Sequence, residues 1–587
     1  MTVTRLFDVP EHQLLRFPKD KAIATKENGQ WRGYSTQELI DTAERIALGL
    51  MALGVKPGDT VAIASGNRSE WCLVDQAVLR IGAIGVPIYP TSSAEDYAYV
   101  LMHSGSRVCF SANAEIHGKA EAARATAPAL EHLFTFDRVD GARHWSELPA
   151  LAREADRPTL QAHKERVKAD DLATIIYTSG TTGRPKGVML THHNILSNAI
   201  ASTTRFPVDH HARAISFLPL SHIYERMLMY LYMYTGVSIH FQESLDDLGD
   251  RIREVAPDVF TAVPRLLEKI YDKIVAKGET LTGIKRTLFF WALDLGHRYE
   301  VHGRGPWYDL QLALARKLIF SKWQAALGGK VRVVASGSAT LQPRLARVFN
   351  AAGIAVMEGY GLTESSPVVS VNDLRNDGLR FGTVGRPIPG VHVRIAGDGE
   401  ILVQGPNIMQ GYYKEPALTA EAIDAEGWLH TGDIGEITKE GFLRITDRKK
   451  EIFKTSGGKY VAPQVMENKL KASRFVEQVM VIGEGRKFPA ALIVPNFGFL
   501  QDYCALKGIP YGDRTSVVRE PRIHDRIMAE VEKANQGLGQ WEQVKKIALL
   551  TAEWTIDGGE LTPTLKLRRK PILAKFARQV EDLYAGT

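Results

Sequence analysis

The chain has 587 residues, of which 44% are hydrophobic and 24% are charged, a balance typical of folded globular proteins. This composition excludes a disordered tail, a fibre and a small disulfide-stapled protein, and the length suggests about four domain-sized units. The net charge of +6, from 73 basic and 67 acidic residues, is weaker than the basic bias of a nucleic-acid-binding domain.

The cysteines and the apolar runs both indicate an intracellular protein. Cys72, Cys109 and Cys504 fit no zinc-binding spacing, and cysteines this far apart are typical of buried thiols in a reducing compartment. The N-terminus lacks the apolar segment of a signal peptide. No run reaches the 18 or so apolar residues of a membrane span, and the nearest one, 227–234, is more typical of a buried helix. We therefore predict a cytoplasmic protein.

The first 170 residues alternate between helix and strand patterns. Ser and Thr at 35–36 precede an apolar-periodic helix that runs to Gly49. The apolar run 60–65 is typical of a strand buried on both faces, and a helix over 70–82 and a strand over 86–89 follow. This order predicts an α/β fold with mostly parallel sheets covered by helices.

Two later changes in the pattern indicate the domain organisation. Residues 272–330 interrupt the alternation with two or three predicted helices, and a strand at 331–335 resumes the sheet. A charged run follows the glycine-bearing hairpin of 437–445. We therefore predict a large N-terminal domain, 1–446, and a small mobile α+β C-terminal domain, 447–587.

The strongest local pattern is an apolar strand followed by a loop of Ser, Thr and Gly that ends in one lysine, Ile175-Ile-Tyr-Thr-Ser-Gly-Thr-Thr-Gly-Arg-Pro-Lys-Gly-Val188. Glycines let backbone N–H groups converge on an anion, while the hydroxyls and Lys186 add donors and charge. The spacing is not that of a Walker A loop. The pattern predicts a phosphate-binding loop, with a flexible surface turn as the alternative.

This loop resembles the phosphate loop of the adenylate-forming superfamily, which includes acyl-CoA synthetases, peptide-synthetase adenylation domains and luciferases. Segments similar to the family's acyl-pocket, adenine (two), ribose, hinge and catalytic-lysine motifs follow in order: Phe217-Leu-Pro-Leu-Ser-His-Ile-Tyr-Glu-Arg226, Ala335-Ser-Gly-Ser-Ala-Thr-Leu341, Glu358-Gly-Tyr-Gly-Leu-Thr-Glu364, Trp428-Leu-His-Thr-Gly-Asp-Ile434, Asp447-Arg-Lys-Lys-Glu-Ile-Phe-Lys454 and Leu561-Thr-Pro-Thr-Leu-Lys566. The resemblance covers about residues 25–575.

The resemblance implies two half-reactions, which use ATP, Mg²⁺ and coenzyme A. A carboxylate is first converted to an acyl-adenylate, a step that brings an anion against a polyanion and so demands positive charge and positioned donors. The acyl group then passes to the thiol of coenzyme A. In the implied mechanism the C-terminal domain rotates between the two steps, so that Lys566 leaves the site and another face of the domain enters.

The family motifs imply a role for each matching residue. The implied catalytic residues are Lys566, Glu364, Lys186, His222 and Lys454. The implied ATP- and AMP-binding residues are Thr178, Ser179, Gly180, Thr181, Thr182, Gly183, Lys186, Gly337, Ser338, Ala339, Glu358, Gly359, Tyr360, Gly361, Thr363, Asp433, Arg448 and Lys566. The remaining implied roles are the acyl pocket (His222, Tyr224, Gly337), the hinge (Lys450), coenzyme A binding (Gly457, Gly458) and Mg²⁺ binding (Thr178, Glu364).

Chemistry agrees with several of these roles. A carboxylate such as Asp433 can accept both ribose hydroxyl protons, and a hard carboxylate oxygen such as that of Glu364 suits Mg²⁺. Tyr360 can lie on the adenine face, and its flanking glycines allow close approach. A lysine that bridges the substrate carboxylate and the α-phosphate, the role implied for Lys566, would bind more strongly in the transition state.

Each residue also has a structural interpretation that the sequence leaves open. Outside its motif, Glu364 fits a surface residue, Tyr360 a packing aromatic and His222 a structural histidine. Lys566 fits a solvated basic tail, and the glycines of 455–460 fit a simple hairpin.

The identity of the acid rests on a second set of similarities. Residues 426–436, the hinge motif and 461–463 resemble the fatty acyl-CoA synthetase signature, and 263–273 with the helical insert resembles the long-chain branch. The resemblance implies a long-chain fatty acid–CoA ligase. Alternatives are an acyl-AMP ligase that loads a carrier protein, a luciferase-like oxygenase and a catalytically silent acyl-binding protein. Chain-length preference, oligomeric state and pathway stay open.

The insert carries a local charge. Residues 281–330 hold eight basic and three acidic side chains, which account for most of the net charge of +6, together with Trp291, Trp307 and Trp323. Basic helices with tryptophans suit an interfacial anchor, so we predict a peripheral contact with the inner face of a membrane and none with nucleic acid. An ordinary solvated helix pair with core tryptophans fits the same residues.

Overall fold

The computed structural model describes residues 2–178, 184–556, 558–562 and 566–585. In chain order the strands are β1 (Ile23–Glu27), β2 (Gln30–Tyr34), β3 (Thr60–Ala64), β4 (Ile84–Ile88), β5 (Val108–Ser111), β6 (His132–Thr135), β7 (Leu172–Thr178), β8 (Lys186–Thr191), β9 (Arg213–Ser216), β10 (Ser238–Phe241), β11 (Val259–Ala262), β12 (Val333–Ser336), β13 (Val356–Gly361), β14 (Val368–Val371), β15 (Arg386–Pro387), β16 (His392–Ile395), β17 (Glu400–Gln404), β18 (Gly411–Tyr412), β19 (Leu429–Ile437), β20 (Leu443–Arg448), β21 (Phe453–Lys454), β22 (Tyr460–Val461), β23 (Val476–Ile482), β24 (Ala490–Pro495) and β25 (Lys546–Leu549).

The α-helices are α1 (Asp8–Arg16), α2 (Thr36–Ala52), α3 (Ser69–Ile81), α4 (Ala94–Ser104), α5 (Ala114–Ala123), α6 (Leu148–Leu151), α7 (Arg157–Arg166), α8 (His192–Thr203), α9 (Ile223–Tyr234), α10 (Leu248–Val255), α11 (Pro264–Glu279), α12 (Gly283–His297), α13 (Pro306–Ala315), α14 (Ser321–Ala326), α15 (Pro343–Ala351), α16 (Pro416–Ala422), α17 (Pro463–Leu470), α18 (Phe497–Lys507), α19 (Arg514–Arg519), α20 (Pro521–Asn535), α21 (Arg569–Lys575) and α22 (Ala577–Tyr584).

Two mixed, largely parallel sheets form the body of the N-terminal part, as the βα alternation predicts. One runs in the order β15–β14–β13–β12–β11–β9–β10–β1–β2 and the other in the order β18–β8–β7–β4–β3–β5–β6. Every residue of β3 is buried between parallel neighbours, β4 and β5, which explains its unbroken apolar run. The α/β fold class is therefore confirmed.

The predicted helices of this part are also present. Ser35 caps α2 through a capping box with Glu38, in agreement with the Ser-Thr pattern at its start. The apolar run 227–234 lies in α9, whose residues are largely buried. The three cysteines are free and buried. Among the described residues, no helix combines the length and the hydrophobicity that crossing a membrane requires.

The helical insert consists of the end of α11, then α12 and α13, and a π-helical turn (Arg316–Phe320) that joins α13 to the short α14. Its tryptophans divide between core and surface. Trp323 is buried against Phe320 and Phe349, whereas Trp307 is 73% exposed.

A sheet in the order β16–β17–β19–β20 precedes the C-terminal unit, and its β19–β20 hairpin is the one predicted from the glycines. Strand β20 continues to Arg448, so the predicted boundary at 446/447 falls inside a strand. Beyond it, residues from Phe453 to Tyr584 enclose a hydrophobic core of their own, packed around the β23–β24–β25 sheet. This unit mixes helices and strands, as predicted.

Candidate active site

The pairing of β19 with β20 builds one wall of the site. The register places Asp433 directly opposite Arg448, and Arg448 Nε lies 3.3 Å from Asp433 Oδ1. Tyr360, at the end of β13, donates its hydroxyl to Asp433 Oδ2 over 2.7 Å. Three residues that the family motifs assign to the nucleoside therefore contact one another, although they come from segments separated by up to 88 positions.

Lys566 joins this wall from the C-terminal unit. Two hydrogen bonds join Lys566 to Thr562: the Thr562 backbone N–H donates to the Lys566 carbonyl, and the Lys566 backbone N–H donates to the Thr562 hydroxyl. Burial and then the charge of Arg448 lower the pKa of Lys566 to about 8, against the opposing effect of Asp433 and Glu364. Lys566 is therefore not part of a solvated basic tail: it is half-buried, and Arg448, Asp433 and Glu364 are close enough to affect its pKa.

Glu364 and Lys186 form another side of the site, next to the paired ends of the predicted phosphate loop. Glu364 lies in a 3₁₀ turn (Thr363–Ser365), and its Oε1 accepts a hydrogen bond of 2.9 Å from the hydroxyl of Tyr412. Lys186 Nζ lies 4.8 Å from the centre of the same Tyr412 ring. The register pairs Lys186 with Thr178, which brings the two ends of the phosphate loop together. The predicted loop residues Ser179, Gly180, Thr181, Thr182 and Gly183 lie outside the described residues.

His222 caps the N-terminus of α9 and also lines a cavity. Its Nδ1 accepts the backbone N–H of Tyr224 over 3.1 Å, which leaves the ring proton on Nε2. Burial and then the charge of Lys566 lower the pKa of His222 to about 3, so the imidazole is neutral at physiological pH. His222 therefore has a structural role as the cap of α9, and its predicted role at the acyl pocket stays a prediction.

An apolar cavity has His222 and Tyr360 in its wall. Its wall includes Tyr224 and Gly337, as predicted for the acyl pocket. It also includes apolar residues that the sequence analysis did not assign to a site: Phe206, Met227, Leu228, Leu231, Met357, Pro367, Val368 and Val371. The rise of an α-helix places Leu231 about 13 Å along α9 from its His222 cap. The buried helix predicted at 227–234 thus forms a long apolar wall.

The two predicted adenine segments lie beside this cavity, the first in the bend that follows β12 and the second at the end of β13. Ser338 has a positive φ of 70°, and Ala339 is exposed. The buried carboxyl of Glu358 accepts the Leu341 backbone N–H over 2.9 Å, and burial raises the pKa of Glu358 to about 8. Glu358 therefore holds the neighbouring turn in place through its side chain.

The glycines on either side of Tyr360 were predicted to allow close approach to adenine, but the structure shows that they lie close to neighbouring backbone instead. A β-carbon at Gly361 would lie 1.8 Å from the Pro367 carbonyl oxygen, and one at Gly359 would lie 3.3 Å from the Ser370 carbonyl oxygen. The close approach that requires glycine at 361 is thus to the adjacent strand backbone. Thr363 is buried in the 3₁₀ turn that carries Glu364.

The residues predicted for the hinge and for coenzyme A lie outside this cluster. Lys450 is exposed in the turn that follows β20. Lys454 is exposed on the β21–β22 hairpin, with its Nζ 5.3 Å from the centre of the Tyr460 ring. Gly457 and Gly458 are exposed in the same hairpin, and Gly458 has a positive φ of 77°, which favours glycine. This geometry leaves the simple-hairpin interpretation open.

Ion pairs join the C-terminal unit to the N-terminal part of the chain. Arg265 on α11 pairs with Glu477 on β23, and Glu279 on α11 pairs with Arg474. The sequence analysis assigned no role to any of these four residues, although Arg265 lies within the segment 263–273 that resembles the long-chain branch. It also assigned no role to Tyr412, whose contacts with Glu364 and Lys186 join segments far apart in the chain.

Comparison with known families adds independent information. A family model described as AMP-binding enzyme matches residues 10–413, and one described as AMP-binding enzyme C-terminal domain matches residues 450–587. Together they span most of the chain.

Named relatives and solved structures match the chain over nearly its whole length. The chain is 36% identical to "Long-chain-fatty-acid--CoA ligase FadD15" of Mycobacterium bovis, over 95% of this chain and 93% of that protein. It is 33% identical to "Long chain acyl-CoA synthetase 7, peroxisomal" of Arabidopsis thaliana, over 99% and 88%. The adenylation domain of a carboxylate reductase from Mycobacterium chelonae shares the fold, with a TM-score of 0.76, 22% identity and coverage of 99% and 91%.

Proposed function

We infer that this chain, which belongs to the AMP-binding enzyme family, is a long-chain-fatty-acid–CoA ligase. It activates a fatty acid with ATP to an acyl-adenylate and pyrophosphate, and it then transfers the acyl group to coenzyme A with release of AMP. The observation that carries this function is that Lys566, Asp433 and Glu364 lie close to one another, and that Asp433 is hydrogen-bonded to Tyr360, a residue of the cavity wall.

The experiment that tests this function is AMP release measured with straight-chain acids from two to twenty carbons, with and without coenzyme A. We expect AMP release to be largest with long chains and to depend on coenzyme A. Equal rates with an acyl carrier protein in place of coenzyme A would favour the carrier-loading alternative. The names of the relatives do not favour that alternative. Because each buried methylene contributes about 0.8 kcal/mol, the preferred length reports how much of the cavity the chain fills.

We propose that Lys566 and His222 act on the reacting carboxylate. The Lys566 ammonium group would bridge the carboxylate and the α-phosphate, where negative charge concentrates in the transition state. The neutral His222 would donate its Nε2–H to the same carboxylate. Asp433, with Tyr360 and Arg448 as its neighbours, would accept the ribose hydroxyls. The support for these roles is that His222 and Tyr360 line the cavity, that Asp433 contacts both Tyr360 and Arg448, and that the charge of Lys566 acts on His222.

We propose that Glu364 and Thr178 hold Mg²⁺ together with the phosphates of ATP. Their oxygens suit this hard cation, which usually takes one or two carboxylates and completes its shell with phosphate and water. Among the described residues, no group of three or more His, Cys, Asp or Glu side chains could hold a metal without such help. The bound ion would supply charge neutralisation at the phosphates. Lys186 would add a second positive group from the end of the phosphate loop.

We propose that the chain has the two domains predicted from the sequence, 1–446 and 447–587, and that Lys450 is the hinge. Because β20 continues to Arg448, the part that rotates is the chain after Lys450. An exposed turn can absorb a large change of φ and ψ. The exposed hairpin with Lys454, Gly457 and Gly458 would then enter the site and meet the pantetheine arm. What supports this proposal is the separate core of the C-terminal unit, since a part with its own core can move as a body.

A second proposal concerns the membrane. Trp307, Leu310 and Leu314 lie on the exposed face of α13, and Leu318 continues that face into the π-helical turn. The opposite face of the same helix is buried, with Tyr308, Leu312 and Ala315 in the core. We propose that this apolar stripe, within the basic insert, docks on the inner face of an anionic membrane, where fatty acids partition. The cytoplasmic location itself stays a prediction.

Sedimentation with phosphatidylglycerol vesicles tests this docking. The double variant Leu310→Glu/Leu314→Glu should lose vesicle binding but keep AMP release in detergent-free solution. Leu506→Glu is the matched control, because Leu506 is 81% exposed but lies in the C-terminal unit. Equal binding of wild type and double variant, or no binding by wild type, would contradict the proposal.

A further inference from the structure

Tyr412 lies outside every motif that points to the reaction, yet it contacts two of the residues assigned to the phosphates. It is buried, in the two-residue strand β18. This strand pairs antiparallel with β8, with Tyr412 opposite Val188. Lys186 is two residues from Val188 and therefore on the same face of the sheet, in the diagonal position that a long side chain can reach.

The ring of Tyr412 contacts the lysine. Lys186 Nζ lies 4.8 Å from the centre of the ring, within the distance at which an ammonium group is attracted to an aromatic face. A lysine side chain has four rotatable carbons, so a fixed ring beside it restricts the positions of its charge.

The hydroxyl of Tyr412 contacts the carboxylate. It donates to Glu364 Oε1 over 2.9 Å, which leaves Oε2 as the oxygen available to a cation. The same chain segment also holds the backbone of the Glu364 turn. Met409 N–H donates to the Glu364 carbonyl over 2.9 Å, and the Asn407 side chain donates to the Ser365 carbonyl over 2.8 Å.

We propose that Tyr412 is the positioning residue that sets the phosphate-binding cation of Lys186 and the metal-binding carboxylate of Glu364 in separate, fixed places before ATP arrives. This inference rests on the roles proposed above for those two residues. Opposite charges near one another tend to pair directly, and such a pair would have to be broken for ATP and its metal to bind. With Tyr412 in contact with both, each group keeps its orientation toward the ligand.

The test is the affinity for Mn²⁺, used as a paramagnetic probe in place of Mg²⁺, in the presence of ATP and without fatty acid. Groups that orient a metal ligand typically contribute 10- to 100-fold to metal affinity, so Tyr412→Phe should weaken Mn²⁺ binding about tenfold. Tyr412→Leu, which also removes the ring beside Lys186, should in addition weaken ATP binding measured calorimetrically without metal.

Two control variants distinguish a failure of the inference about Tyr412 from a failure of the metal role proposed for Glu364. Tyr413→Phe alters the neighbouring tyrosine, whose ring contacts His103 instead, and should bind Mn²⁺ like wild type. Glu364→Gln should bind Mn²⁺ at least as weakly as Tyr412→Phe, and thermal unfolding shows that each variant is folded. If Glu364→Gln is weak but Tyr412→Phe equals wild type, the inference about Tyr412 is overturned. If Glu364→Gln itself equals wild type, the proposed metal role fails, and the inference fails with it.

Discussion

Lys566 and Lys454 belong to the same C-terminal unit but stand in opposite environments. Lys566 is surrounded by Arg448, Asp433 and Glu364, and its pKa falls to about 8, whereas Lys454 is exposed on a hairpin. A domain that presents one lysine to the site and keeps another in solvent has two candidate working faces. The difference suggests that the described arrangement serves adenylation and that the other face serves thioester formation.

The largest effect we expect is on adenylation in Lys566→Ala. Removing a group that stabilises developing charge typically costs 10²- to 10³-fold in rate, and we expect a loss of about that size. Fatty-acid-dependent exchange of pyrophosphate into ATP measures this half-reaction alone. Lys566→Arg, which keeps the charge, is the matched control and should lose less. A rate for Lys566→Ala within a few-fold of wild type would contradict the assignment.

Lys454→Ala should give the reverse pattern. Pyrophosphate exchange should be unchanged, because the exposed lysine does not contact the adenylation site. Acyl transfer from preformed acyl-adenylate to coenzyme A should fall about tenfold, the size of a lost charge-assisted hydrogen bond of about 1.4 kcal/mol. Lys459→Ala, on the same hairpin, is a control for changes in net charge. A loss confined to pyrophosphate exchange would mean that the second face is elsewhere.

The pH dependence of adenylation should report Lys566. The pKa of about 8 lies below the ordinary lysine value, so the side chain is charged below pH 8 and loses its proton as pH rises through that value. We expect kcat/KM for pyrophosphate exchange to fall above pH 8 by up to tenfold per unit. In Lys566→Arg this decline should disappear, because arginine stays charged. A wild-type profile that is flat from pH 7 to pH 10 would contradict the environment of Lys566.

The ion pairs between the two parts of the chain should have a smaller effect. Arg265→Ala and Arg474→Ala remove the pairs with Glu477 and Glu279, and partly exposed pairs contribute about 0.5 kcal/mol each, or about 1 kcal/mol for the two. The double variant should therefore adenylate up to about fivefold more slowly, while transfer from preformed acyl-adenylate is unchanged or faster. Arg298→Ala, whose pair with Asp294 lies within the insert, is the control.

The smallest effect concerns stability. His222→Ala removes the cap of α9 and should lower the free energy of unfolding by about 1 kcal/mol, whereas His222→Asn keeps a capping acceptor and should lower it less. Urea denaturation measures both. Both variants should slow adenylation, so equal activity of His222→Asn and wild type would leave only the structural role.

Local patterns were enough to predict the parts of the fold that depend on neighbours in sequence. The cap at Ser35, the buried strand β3 and the hairpin of β19 and β20 all follow from residues within a few positions of each other. The motif segments also predicted which residues meet around Lys566, because the resemblance supplies an arrangement that spacing alone does not.

Contacts between distant segments could not be predicted in this way. Tyr412 reaches Glu364 from a strand of two residues, too short for an alternating pattern. The pairing of Arg265 with Glu477 joins two parts of the chain whose relative position no local pattern encodes. The glycine at 361 was assigned to the ligand, but the Pro367 backbone beside it is what requires a glycine.

The most direct test of the two-face account is the rate at which Lys566→Ala transfers the acyl group from preformed acyl-adenylate to coenzyme A. The account predicts a rate equal to wild type, because Lys566 would be outside the site in that step. A loss as large as the loss in pyrophosphate exchange would contradict it, since Lys566 would then serve both half-reactions from one position.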